Sequence, residues 1–174
     1  MLFSADQSKL HYKRLVATLF VFLYAVYYLF SLSDWHFIDN VNLIIHEAGH
    51  SILFFLGDFI RISAGSLFQV LIPTLFVAYF FIQKQYFSAS LLLFWVGQNF
   101  VNVSVYARDS VVMQLPLLGG DNVVHDWNYM LMHLNLLGST EIIANGIYLL
   151  GVFIIIAGCV LSLFFSFEKE SLNK

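Results

Sequence analysis

Charge is what this chain has least of. Only 11% of its 174 residues are Asp, Glu, Lys or Arg, where a soluble domain carries about 25%. Apolar residues make up 60% and aromatics 18%, a composition that implies a polytopic membrane protein rather than a water-soluble one. Cysteine is nearly missing: Cys159, inside an apolar run, leaves no disulfide framework and no cysteine-based zinc site, and reads as a small core residue. Basic residues are too few and too scattered for a nucleic-acid surface, and the net charge is -3. Only Pro73 and Pro116 interrupt the pattern as prolines, and no repeat or low-complexity linker divides the chain. The expectation is one integral-membrane domain over residues 1–174, with the lipid bilayer as its first partner.

Six apolar or partly apolar segments can be marked off. The first runs from Leu15 to Leu32, behind Lys9, Lys13 and Arg14. At about 18 residues it exceeds a cleavable signal's usual apolar core of about 7–15, so it reads as a spanning helix rather than a leader. The connection Asp34 to Asn40 places Trp35 near an interface, and a second helix covers about Phe37 to Leu56. Ser66 to Gln83, with Pro73 inside it, forms a third span and Phe87 to Tyr106 a fourth, joined by a turn at Lys84. Gln98 and Asn102 share a face of that fourth helix, which points them at protein rather than lipid. Pro116, Gly119 and Gly120 then mark irregular backbone, and a helix opening at Asp121 and ending near Leu137 is short for a span, so it crosses incompletely or re-enters. Glu141 to Phe167 is the last. With the N-terminus in the cytoplasm, six crossings put Lys9, Lys13, Arg14, Arg61, Arg108, Lys169 and Lys174 inside and only Lys84 outside, as expected of a multi-pass protein in a cell's inner membrane.

The chemistry concentrates in His46-Glu47-Ala48-Gly49-His50, flanked on both sides by apolar residues. Residues four apart on a helix stack one turn above another, so His46 and His50 present two imidazoles to one metal, with Glu47 within reach of the water to be activated. A Glu in a membrane helix costs about 2.5–3.5 kcal/mol at mid-depth, and a bound dication offsets that cost. The order His-Glu-x-x-His points to Zn2+, with Glu47 as general base. A catalytic zinc takes a third protein ligand and keeps one position open. The remaining donors in reach of the helix after the Pro/Gly loop are Asp109, Asp121, His125, Asp126 and His133. His125 and Asp126, in the first turns of that helix, come first; because they point about 100° apart, one binds and the other supports it or faces elsewhere. Asp121 fits a helix N-cap, and His133 a structural histidine. His36, about ten residues before His46, reads as a loop residue.

The motif in a membrane helix, followed by Phe55-Leu56-Gly57-Asp58 and then Ile60-Arg61-Ile62-Ser63-Ala64-Gly65, resembles the site-2 protease family of intramembrane zinc metalloproteases. The resemblance implies an all-α membrane fold and a zinc endopeptidase that hydrolyses a peptide bond of a membrane-anchored polypeptide. It also implies a short strand-like segment after the metal helix that can pair with an extended substrate, and the alternation of Ile60, Ile62 and Ala64 with Arg61 and Ser63 agrees with a strand. The family's third ligand is an Asp in a Leu-Asp-Gly motif. Here that motif is replaced by Leu115-Pro116-Leu117-Leu118-Gly119-Gly120-Asp121 and then His125-Asp126-Trp127, which leaves the ligand open. Two other functions fit the same composition: a zinc hydrolase acting on a non-peptide membrane substrate, and a catalytically silent scaffold for a membrane protein.

Overall fold

The computed structural model describes residues 8–116, 118 and 123–169. Its elements are β1 (Ser8–Leu10), α1 (Tyr12–Phe30), α2 (Phe37–Ile52), α3 (Asp58–Ile82), α4 (Tyr86–Arg108), α5 (Asp126–His133), α6 (Thr140–Phe164) and β2 (Phe167–Lys169), with single 3-10 turns at Phe54–Leu56 and Leu137–Ser139. The fold is all-α apart from one antiparallel pair in which Ser8 faces Lys169 and Leu10 faces Phe167. Among the described residues three helical stretches are long and apolar enough to cross a membrane: Tyr12–Phe30, Asp58–Ile82 and Leu137–Phe164. Their outward faces are apolar, with Phe20 72%, Phe153 69% and Ile142 77% exposed, a belt that suits lipid and not water.

α4 is the central helix. Its buried side chains include Gln98, Asn99, Val101 and Ser104; Gln98 bonds Asn42 and Asp39 of α2, while Asn99 and Ser104 donate to carbonyls of α4 itself, so these polar groups are kept from lipid. α6 packs against α4 at close range because Gly97 and Gly151 face each other; a Cβ on either would run into the other's carbonyl oxygen. Ala25, Tyr28, Phe94, Val101 and Ile155 complete the core between α1, α4 and α6. Cys159 is free and half-buried beside them.

The helix ends fix which loops share a side. Arg14 donates to the Phe165 carbonyl at 3.0 Å and lies 5.4 Å over the Phe87 ring, while Tyr86 stacks on Phe165. One end of the bundle therefore holds β1, the start of α1, the Lys84 turn and β2. At the other end Arg108 pairs with Glu141 and Asn145, and Gln69 meets Asn102 where α3 and α4 run antiparallel. α2 lies in this second half, with His36 against Tyr24, Tyr27 and Tyr28 and His50 bonded to the Arg61 carbonyl.

Two expectations change. Residues 60–64 are not a strand: α3 starts at Asp58, directly after Gly57 turns the chain at φ 88°, and its buried residues Ile62, Gly65, Ser66, Gln69 and Pro73 recur at helical spacing. Packing over seven turns outweighs a five-residue alternation, and no free strand edge remains there to receive a substrate. The six-crossing count changes as well. α2 has 16 residues and α5 has 8, both short of the roughly 20 that a bilayer requires. Lys84 accordingly shares an end with Arg14, and Arg61 and Arg108 lie at the opposite one.

Candidate metal centre

α2 opens at His36, whose backbone N–H donates to Asp39 Oδ2 at 2.8 Å while the Asp39 N–H returns to the His36 carbonyl. From that start, Asp39, Asn42, His46 and Gly49 form the buried face of the helix. His46 and His50 project from one side toward α3, where Gly65 makes room: a Cβ there would collide with Nε2 of both rings. α5 brings the third group. Its first turn is tied at three points: the Asp126 N–H donates to the Tyr106 hydroxyl at 3.1 Å, Trp127 Nε1 donates to Ser66 Oγ at 3.1 Å, and Asn128 Nδ2 donates to the Ser110 carbonyl at 2.8 Å.

The result is one carboxylate between two imidazoles. Asp126 Oδ2 lies 2.8 Å from His46 Nε2 and 3.1 Å from His50 Nε2, and one donor atom from each of the three residues falls within 4.8 Å of the others. The far nitrogens are occupied: His50 Nδ1 meets the Arg61 carbonyl at 2.8 Å and His46 Nδ1 meets Gln69 Oε1 at 3.1 Å. A carbonyl accepts only, so His50 carries a hydrogen on Nδ1, and its neutral form offers the lone pair of Nε2 to the centre. Two such imidazoles and a carboxylate repel one another unless a positive charge, a proton on Nε2 or a metal ion, lies between them. Zinc ligands at about 2.0–2.2 Å would stand roughly 3.3–3.6 Å apart, so a small outward relaxation of these side chains admits such an ion. His46, His50 and Asp126 can hold a metal, and they line a cavity of about 220 Å³ together with Glu47, Arg61 and Tyr106.

Other candidates fall elsewhere. His125 is buried but is the N-cap of α5, its Nδ1 accepting from the Asn128 N–H at 3.3 Å and its Nε2 facing Asp109 Oδ2 at 3.3 Å. It therefore stands outside the three-donor group that the sequence reading extended to it. Asp109 is occupied by the amides of Gln114 and Leu115 as well as by His125. His133 is exposed, beside Phe59 and Tyr129, and Asp121 lies outside the described residues. His36 is buried as a helix cap rather than a loop residue. Sequence reasoning missed Tyr106, Gln69 and Asp39. A signal for Asp39 existed: Asp39, Asn42 and His46 recur at spacings of three and four on the motif's own helix face.

Comparison with protein-family models, with curated proteins and with solved structures finds no match to this chain.

Proposed function

We propose that this chain is an intramembrane zinc endopeptidase, resembling the site-2 protease family, that hydrolyses a peptide bond in a membrane-anchored polypeptide. The observation that supports it furthest is the convergence of His46, His50 and Asp126 on one point beside Glu47, in a cavity lined by residues of α2, α3, α4 and α5 and of the segment before α5, in a bundle whose outer faces suit lipid. A His/His/carboxylate set leaves a fourth position open and suits zinc. When bound, zinc supplies Lewis acidity toward a water and toward the scissile carbonyl. Glu47 takes a proton from the attacking water, whose oxygen bonds to the carbonyl carbon; the C–N bond then breaks and Glu47 delivers that proton to the leaving nitrogen. Ile62, Val123 and Val124 give the cavity apolar walls fitted to an unwound apolar segment, because a helical segment hides its carbonyls in hydrogen bonds.

We place the N-terminus in the cytoplasm of a cell bearing this protein in its inner membrane, with α1, α3, α4 and α6 as the crossing helices. Lys13, Arg14 and Lys84, with the backbone of Lys9 and Lys169, gather at one end, against Arg61 and Arg108 at the other, and the positive-inside tendency puts the richer end inside.

The test is hydrolysis of a transmembrane peptide by purified protein with its zinc measured. Glu47→Gln is expected to keep the metal and lose at least about 100-fold in rate, the usual contribution of a general base. Zinc binding without cleavage by the wild type would point instead to a scaffold or a non-peptide substrate.

A further inference from the structure

A line of buried and half-buried amides joins the candidate metal centre to Asp39, and its direction follows from the ends. Asp39 Oδ1 receives two amide nitrogens, Gln98 Nε2 at 2.9 Å and Asn102 Nδ2 at 3.2 Å, while Oδ2 takes the His36 N–H. Because Asn102 turns its nitrogen to Asp39, its Oδ1 faces α3 and accepts from Gln69 Nε2 at 2.7 Å. Gln69 must then present Oε1 to His46 Nδ1, 3.1 Å away. The second branch checks the first. Trp95 Nε1, which can only donate, bonds Asn42 Oδ1 at 2.9 Å, so Asn42 gives its nitrogen to Gln98 Oε1 at 2.8 Å and Gln98 gives its own to Asp39. Every amide orientation in both branches agrees with a donor at Trp95 and an acceptor at Asp39.

We propose that Asp39, acting through Asn102 and Gln69, is a positioning residue that fixes His46 with its hydrogen on Nδ1 and its lone pair on Nε2, the form able to bind metal. His50 obtains the same tautomer from the Arg61 carbonyl, which cannot reverse. An amide can reverse, and presented nitrogen-first it would hold His46 in the wrong tautomer; a carboxylate at the head of the line prevents that. Asp39 sits at the meeting of α1, α2 and α4, with Tyr28 buried beside Gln98 and Asn102, so the metal centre is set by packing two turns away from it.

The inference rests on the metal reading of the site, and metal titration separates the two. Asp39→Asn, of the same size, is expected to weaken zinc binding about 10–100-fold, the usual cost of losing a partner behind a metal-binding histidine, with thermal unfolding of the metal-free protein followed alongside. Gln69→Glu in the same background places an acceptor-only group directly on His46 and is expected to restore the affinity. Should Asp39→Asn fail to fold, Gln69→Met removes the acceptor without touching Asp39 and is expected to show the same loss. Wild-type affinity in Asp39→Asn, or a loss that Gln69→Glu leaves uncorrected, overturns the relay while the centre stands. Failure of the wild type to bind zinc overturns the centre and the relay with it.

Discussion

His125 and Asp126 are neighbours with similar claims on a metal, and the fold separates them by rotation about one helix. Asp126 turns toward α2 because Tyr106 accepts its backbone N–H and Trp127 hooks Ser66; His125 turns back to cap its own helix and to meet Asp109. Replacing each by Ala is expected to give effects of different kinds. Asp126→Ala leaves two imidazoles and should abolish measurable zinc retention through gel filtration, whereas His125→Ala should retain zinc and lower the unfolding free energy by about 1 kcal/mol, the cost of a helix cap. Metal content and denaturation of the two proteins check this, and zinc lost from His125→Ala alone would reverse the assignment.

α3 shows how an element can be misread from a short stretch. Ile60 to Ala64 alternate like a strand, yet the buried residues continue to Pro73 at helical spacing, and the run packs on both α2 and α4. A tightly constrained contact lies at Gly65, where the backbone passes directly under both imidazoles. Gly65→Ala puts a methyl group into Nε2 of His46 and His50, and because helix backbone meets the rings there, the rings must move. Zinc affinity is expected to fall by more than 10-fold while helix content measured by circular dichroism stays unchanged, since Ala favours a helix more than Gly does. Zinc affinity equal to wild type would mean that α2 and α3 separate more easily than their packing implies.

Charge distribution over the molecule depends on which ends meet. A six-crossing count sets Lys84 apart from the N-terminal basic residues; the contacts of Arg14 with Phe87 and Phe165 bring them together. In intact cells or oriented vesicles, with Cys159 replaced by Ser, single cysteines at Lys13 and Lys84 are expected to react with a membrane-impermeant thiol reagent from the same side. A cysteine at Glu141 should react from the other. Labelling of positions 13 and 84 from opposite sides would restore the six-crossing arrangement and refute this packing. The same geometry sets the metal centre in the half of the bundle away from both terminal strands, near the Arg108–Glu141 pair.

Residue type and spacing were enough for the membrane class, the helical content, the pairing of His46 with His50 and the position of Glu47. Those properties follow from transfer free energy and from the helix repeat, both local to a few turns. The bounds of α4 and α6 also follow the apolar runs to within three residues at either end. For the third donor His125 and Asp126 came first, ahead of Asp121 and Asp109, and no further choice was possible, because it depends on how α5 is rotated, and Tyr106, Ser66 and Ser110, which set that rotation, come from α4, α3 and the turn after α4. The shortness of α2, the helical state of residues 60–64 and the side on which Lys84 lies likewise depend on contacts between segments far apart in the chain. The amide line from Asp39 to His46 is the clearest case: four side chains from three helices must be brought within hydrogen-bond distance before the orientation of any one of them has a meaning.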